Sequence, residues 1–180
     1  MSVRIPVSLA SAFAGLALAA APVSAQQPQQ KPKCDTPAHR QFDFWIGEWE
    51  VTDAQGQKAG ENTITLILED CVLHESWDGG GLNGQSFNVY SRNEDRWFQT
   101  WVDDAGSLLR LSGGMKDGAM VLSGETKTRD GKTVFDEIAW TPLEDGRVEQ
   151  HWRRSTDGGK EWQDAFVGFY TRKGGTAAGS

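Results

Sequence analysis

The sequence has little of what membrane-spanning and nucleic-acid-binding proteins use. Only 18 of its 180 residues are lysine or arginine, against 25 acidic residues, and the formal net charge is −7. Proteins that bind nucleic acids or anionic membrane surfaces present basic patches, so we expect no nucleic-acid partner. After residue 25 no apolar run approaches the roughly 18 to 20 residues of a spanning helix, and we expect no membrane span.

Histidine and cysteine are also scarce, and their spacing is wrong for common metal sites. The histidines at 39, 74 and 151 form neither H-x-H nor H-E-x-x-H, and the two cysteines do not form C-x-x-C. No G-x-S-x-G segment is present to hold a nucleophilic serine. We therefore expect no metal site and no serine-type catalytic machinery.

The first 25 residues are typical of a secretory signal peptide. Arg4 is followed by an apolar stretch over 7–21 and by Val23-Ser24-Ala25, a small-x-small cleavage signal. We expect cleavage after Ala25 and a periplasmic or secreted product. Arg4 is the only charged residue removed, so the net charge becomes −8.

The two cysteines fit that compartment. An even pair in an oxidising environment favours a disulfide between Cys34 and Cys71, with a redox or metal pair as the alternative. Residues 26–39 are polar and proline-containing and predict a flexible leader, and residues 174–180 predict a disordered tail. The remaining 40–173 segment has the length of a single domain.

Asp-Gly dipeptides dominate that segment and predict hairpins. They occur at 78–79, 117–118, 130–131, 145–146 and 157–158, between stretches of period-two patterning rich in Thr, Val, Ile, Trp and Phe. A short helical turn is expected over 37–46. The predicted strands are 48–53, 58–69, 71–77, 85–92, 96–103, 107–112, 119–128, 133–142, 147–155 and 161–172. Ten antiparallel strands in an up-and-down meander remove their exposed edges by closing, so the fold class is an all-β barrel.

The segment F-D-F-W-I-G-E-W at 42–49 resembles the opening of calycin-type barrels, which include lipocalins, fatty-acid-binding proteins and nitrobindin. Further segments are G-x-S-x-N-x-Y at 84–90, R-W-x-Q-x-W-V-D at 96–103 and W-T-P at 140–142. With these and the 42–49 segment, the chain more closely resembles a family of exported bacterial proteins of unknown function. The resemblance implies a calycin-like barrel with an internal ligand cavity. Nitrobindin-like members of this group hold haem through a histidine near the end of the chain, and the resemblance makes His151 the candidate for that role here. The surroundings of His151 do not match that motif, and we expect no cofactor.

The alternation of side chains along each strand predicts which of them face the barrel interior. Residues two apart in a strand share a face, and four strands place a large aromatic residue beside a hydrogen-bonding group. These faces hold Leu73, Glu75 and Trp77; Ser86, Asn88 and Tyr90; Trp97, Gln99 and Trp101; and Val148, Gln150, Trp152 and Arg154. Apolar walls with a few polar groups suit a small ligand. The alternative is that the tryptophans simply fill the core.

We expect an exported protein that holds a partly apolar small molecule in the barrel. The candidate ligand-binding residues are Glu75, Trp77, Tyr90, Trp97, Gln99, Trp101, Gln150 and Trp152. Glu75 is the candidate catalytic residue, because an inward carboxyl loses solvation and its pKa rises, which suits acid/base chemistry or a cationic ligand head. Two alternatives remain open, namely an isomerase, cyclase or hydrolase using the same cavity, and a packed module without a ligand. The sequence leaves the ligand and the oligomeric state undetermined.

Overall fold

A computed structural model describes residues 33–174. The predicted signal peptide, the first half of the predicted leader and nearly all of the predicted tail lie outside these residues. Two short 3₁₀ turns, Pro37–Arg40 and Asp43–Trp45, precede ten strands. The strands are β1 Gly47–Asp53, β2 Lys58–Ile67, β3 Val72–Asp78, β4 Asn83–Ser91, β5 Arg96–Asp103, β6 Leu108–Lys116, β7 Ala119–Lys127, β8 Thr133–Pro142, β9 Val148–Ser155 and β10 Gln163–Arg172.

The strands form a closed antiparallel barrel in which each strand pairs with its neighbours in the chain and β1 pairs with β10. This confirms the predicted fold class. Alternate residues are buried along much of the sheet, for example Trp49 and Val51 of β1 or Asp136, Ile138 and Trp140 of β8. The period-two pattern therefore identifies the inner face.

The Asp-Gly dipeptides mark hairpins, but only one has the backbone conformation of a type I′ turn. Asp117 and Gly118 both have positive φ, +51° and +85°, in the two-residue turn between β6 and β7. At 145–146 only Gly146 has positive φ, and Leu143 donates its amide to the carbonyl of Arg147 across a longer turn. The dipeptide therefore predicts where a hairpin turns better than it predicts the turn type.

Most strand bounds lie within two residues of the prediction, and two of the differences have a clear cause in the chain. β2 ends at Ile67 rather than 69, because Leu68, Glu69 and Asp70 all have positive φ and turn the chain into β3. β6 continues to Lys116 rather than ending at 112. Gly113 and Gly114 break the hydrophobic pattern but remain paired with Leu122 and Val121 of β7.

A plug formed by the two 3₁₀ turns, residues 37–45, closes one end of the barrel. Phe42 and Trp45 are fully buried and their rings stack 4.9 Å apart. Trp45 also packs against Trp140 and Tyr170, whose ring centroids lie 5.3 and 6.3 Å away. None of the helical segments within residues 33–174 has the length and apolar character of a bilayer-spanning helix.

The plug is fastened to the barrel wall by covalent and polar contacts. A disulfide joins Cys34 to Cys71, as predicted, beside the β2–β3 turn. Arg40 donates to the backbone carbonyl of Asp70 in the same turn at 2.5 Å. On the β5 side, the indole nitrogen of Trp97 donates to Gln41 at 3.2 Å. The plug thus occupies a defined position. The turns that join β1 to β2, β3 to β4, β5 to β6, β7 to β8 and β9 to β10 lie at the opposite end of the barrel.

Candidate functional site

A cavity of about 260 Å³ lies inside the barrel on the side away from the plug. Its aromatic walls are Trp77, Trp101, Trp140, Trp152 and Phe166. Its aliphatic walls are Leu82, Leu109, Ile138 and Ala165. Its polar lining residues are Glu75, Gln99, Gln150 and Tyr170. Leu82 and Ala165 are exposed, which places them at the mouth, whereas Trp140 and Tyr170 contact the plug from the other side.

Glycines on the inner face make room for three of the aromatic rings. A Cβ at Gly60 of β2 would lie 2.7 Å from the Trp77 ring, and one at Gly168 of β10 would lie 2.5 Å from the Phe166 ring. A Cβ at Gly84 of β4 would overlap with the Trp101 ring. The three rings lie directly against the glycine backbone. They therefore stay close to the barrel wall and leave space between them.

The floor of the cavity is built around a buried carboxyl group. Glu75 is 5% exposed. Asn62 of β2 donates to its Oε1 at 2.7 Å, and Ser86, directly opposite on β4, donates to its Oε2 at 2.6 Å. Burial raises the pKa of Glu75, while the hydrogen bonds from Ser86 and Asn62 and the nearby His74 oppose that rise.

A backbone carbonyl sets the direction of the hydrogen bonds that reach Glu75. The carbonyl of Leu73 can only accept, so Asn88 must turn its amide nitrogen toward it, at 3.2 Å. The same nitrogen donates to Ser86 Oγ at 2.8 Å, which leaves the Ser86 hydroxyl hydrogen for Glu75. Asn88 Oδ1 then accepts from Gln99 Nε2 at 2.9 Å. Each hydrogen bond in this series therefore either donates to Glu75 or orients a group that donates to it.

The orientation of Gln99 has a consequence for the cavity. Because Nε2 is directed to Asn88, the carbonyl oxygen of Gln99 receives no hydrogen bond from any residue in 33–174. Gln99 lines the cavity, so this oxygen is an acceptor available to a bound molecule.

A second polar pair borders the floor on the β9–β10 side. Tyr170 donates its hydroxyl hydrogen to Gln150 Oε1, and Asn62 Nδ2 lies 3.4 Å from the Tyr170 oxygen. Burial, followed by the charge of Glu75, raises the pKa of Tyr170 well above its ordinary value. Tyr170 therefore stays neutral and donates its hydroxyl hydrogen. The side-chain oxygen of Asn62, Oδ1, is buried and has no hydrogen-bond partner among the described residues.

Near the mouth, an inward carboxylate positions one of the wall tryptophans. Asp136 is fully buried and accepts from Trp152 Nε1 at 2.8 Å and from Arg154 Nε at 2.7 Å, both on Oδ1, while Thr126 donates to Oδ2. The Arg154 guanidinium lies over the Trp152 ring, 4.3 Å from its centroid. The orientation of Trp152 therefore depends on an ion pair that is itself neutral overall.

The structure brings six of the eight predicted ligand-binding residues together around the cavity, namely Glu75, Trp77, Gln99, Trp101, Gln150 and Trp152. It places the other two, Tyr90 and Trp97, beside the plug. Tyr90 donates to Asp95 and packs edge-on against His39, and Trp97 packs edge-on against Phe42. Both side chains point toward the barrel interior, as predicted, but they lie at the end that the plug fills.

Sequence reasoning did not select several residues of the site. Ile138 and Trp140 share the inner face of β8 with Asp136, and the alternation of that strand could have identified them. Asn62 carries no such signal, since a polar residue in a strand is more often solvent-facing. Tyr170 becomes part of the floor only because β10 closes the ring beside β1.

The histidines lie away from the cavity. His151 Nε2 contacts Asp164 Oδ1 at 2.7 Å on the outer face, and His74 contacts Gln85 on the outer face of β3–β4. No histidine, cysteine or methionine lines the cavity within the described part of the chain. The residues present therefore do not fit a haem held through His151. Within residues 33–174 no cluster of three or more His, Cys, Asp or Glu side chains is arranged to hold a metal ion.

Fold and cavity together define a closed ten-stranded antiparallel barrel with an internal cavity at one end, consistent with a calycin-like fold. Searches against protein-family models and against curated proteins find no match for the chain.

Proposed function

We propose that the protein binds a small, largely apolar molecule inside the barrel. The observation that carries this proposal is the one-ended cavity itself, with aromatic walls and a hydrogen-bonded polar floor. Its volume of about 260 Å³ is just below the range of about 300–1,000 Å³ usual for ligand pockets, so the ligand is small.

The arrangement of the glycines supports binding over a packed structural role. Protein interiors are normally close-packed, and a larger side chain at an inner-face position is the ordinary way to fill a void. Here Gly60, Gly84 and Gly168 hold three aromatic rings against the wall instead. Space is thus retained where the polar groups converge.

We further propose that the protein is exported and works outside the cytoplasm as a member of the exported family that it resembles. The Cys34–Cys71 disulfide supports this, because structural disulfides persist mainly in oxidising compartments. The test is intact-mass measurement and thiol labelling of the protein recovered from the cells that produce it. The mass should correspond to a chain that begins at residue 26, and the labelling should find no free thiol.

The test of binding is native mass spectrometry of the purified chain, with an absorption spectrum on the same sample. A co-purifying adduct is expected, with no Soret band. Ala165→Trp, at the mouth of the cavity, should abolish the adduct and any ligand-induced rise in melting temperature. Ala105→Trp makes the same change in the exposed β5–β6 turn and should leave both intact. An adduct retained equally by both variants would place the ligand elsewhere.

A second candidate function is acid/base catalysis in the same cavity, favoured by the raised pKa of Glu75 at the floor. An enzyme of this kind would convert the captured compound on incubation. At saturating substrate, Glu75→Gln would then stop turnover, whereas recovery of the unchanged compound from the wild-type protein would leave only the binding role.

A further inference from the structure

The polar floor of the cavity indicates the charge of its ligand. Resting on the proposed binding function, we propose that the ligand carries a positively charged nitrogen, as an amine or quaternary ammonium with an apolar body, and that Glu75 is its counter-ion. The geometry of the floor, the charges of the lining residues and the aromatic walls support this assignment independently.

The charges of the lining residues disfavour an anion. Glu75 is the only side chain with an ordinarily charged group on the cavity surface, and among residues 33–174 no lysine, arginine or histidine lines it. A ligand carboxylate would be desolvated beside Glu75 without a compensating charge, which is strongly unfavourable. Arg154 lies near the mouth, but it is paired with Asp136. The cavity thus lacks the cation that a fatty-acid carboxylate would need.

The hydrogen-bond directions also favour a donor ligand. The Leu73 carbonyl orders the chain through Asn88 and Ser86 so that Glu75 Oε2 accepts, and Asn62 donates to Oε1. Each carboxylate oxygen has a second lone pair, which a ligand N–H or a quaternary ammonium can approach. The unpartnered Gln99 carbonyl oxygen adds another acceptor on the same floor.

The walls are suited to the rest of such a ligand. Four tryptophans line the cavity, and the face of an indole ring attracts a cation more strongly than any other side-chain ring. An apolar body attached to the nitrogen would contact Leu109 and Ile138 as well. A cation is therefore favoured by both the floor and the walls. A neutral ligand with an O–H or N–H group can donate a hydrogen bond to the floor, but it gains no attraction to the charge of Glu75 or to the indole faces.

The experiment compares three probes with the same phenyl body and different heads, namely phenethylammonium, phenethyl alcohol and 3-phenylpropanoate. Isothermal titration calorimetry at neutral pH should give the cation about tenfold higher affinity than the alcohol, with the anion weakest. Glu75→Gln should lower the affinity for the cation by about tenfold or more, and for the alcohol by less than about threefold. Glu125→Gln removes the same charge from an exposed position on β7 and should change neither.

A measurement on the wild-type protein covers the case in which Glu75→Gln does not fold. Benzyltrimethylammonium keeps its charge at every pH, so its affinity should fall as Glu75 becomes protonated at lower pH. The groups that face Glu75 are Asn62 from β2, Ser86 from β4 and Tyr170 from β10, with His74 on the opposite face of β3. Asn62 and Ser86 do not titrate, and the raised pKa of Tyr170 excludes its ionisation in this range.

The outcomes separate this inference from the proposed function. Tighter binding of the anion or the alcohol than of the cation, or unchanged cation binding by Glu75→Gln, would overturn the inference and leave a binding protein for another ligand class. A co-purifying ligand without a basic nitrogen would do the same. If none of the three probes binds and no adduct is found, both proposals fail together.

Discussion

The ring of Trp101 on β5 lies across Gly84 on β4, so closely that a Cβ on Gly84 would overlap with it. Gly84→Ala should therefore push Trp101 into the cavity. We expect a loss of about 1–3 kcal/mol in the free energy of unfolding, the usual cost of overpacking, together with weaker ligand binding. Gly114→Ala on β6 meets no atom within 4 Å and serves as the control, with unchanged or slightly higher stability. Equal effects of the two substitutions in urea titrations would contradict the close approach of Trp101.

The disulfide should contribute substantially to stability. It joins residues 37 positions apart, and the chain-entropy model assigns such a loop about 3–4 kcal/mol. Urea titration of a Cys34→Ala/Cys71→Ala double variant should show a loss of this size. We also expect the plug to loosen, which a change in the environment of buried Trp45 would report through tryptophan fluorescence. A double variant as stable as the wild type would mean that the polar contacts of the plug hold it without the bond.

Adjacent acidic residues on β8 allow a comparison of the two faces of the barrel. Asp136 faces inward and accepts from Trp152 and Arg154, whereas Glu137 faces outward and pairs with Arg153. Asp136→Asn should lower the free energy of unfolding by about 1.5–3 kcal/mol, because buried hydrogen bonds to a charged group are lost or weakened. Glu137→Gln should cost less than about 1 kcal/mol, as partly exposed ion pairs do. Chemical denaturation of both variants tests this order, and a larger loss for Glu137→Gln would reverse the assignment of faces.

Stability should depend on pH through Glu75. Because burial raises its pKa in the folded protein, the folded state keeps the proton above the ordinary value of 4.5, where the unfolded chain has lost it. The contribution of Glu75 to the free energy of unfolding therefore falls as pH rises from 4.5 through the folded pKa. Glu75→Gln removes this titration, so its stability relative to the wild type should improve over that range.

Urea titrations between about pH 4 and pH 8 measure this difference. Glu125→Gln, at an exposed position, should differ from the wild type by a nearly constant amount. A constant difference for Glu75→Gln as well would show that Glu75 has the same pKa in both states.

Strand number, order and inner face could be predicted from the sequence because each depends on local information. Turn residues locate the hairpins, and alternation decides which side chains point inward. The position of a residue along the barrel axis is not local. Tyr90 and Trp97 point inward as predicted, yet the plug formed by residues 37–45 decides that their end is filled and the end near Trp77 and Trp101 keeps a cavity.

The polar floor was only partly predictable for a related reason. Glu75 and Gln99 stood out because each shares a strand face with a tryptophan. Asn62 and Tyr170 join them only through pairings across the sheet, β2 with β3 and β1 with β10. The hydrogen-bond direction imposed by the Leu73 carbonyl depends on three strands at once, and no pattern along one strand encodes it.

The pairing of β1 with β10 also constrains how the chain is synthesised and folded. Successive hairpins can form as each strand emerges, but the first strand has no partner on its outer edge until the last strand is complete. A growing or truncated chain therefore exposes two strand edges, which readily pair with other chains and aggregate. The disulfide spans only 37 residues, so it can form while β10 is still absent and hold the plug in place early. Loss of the last strand should thus cause aggregation rather than a smaller folded domain.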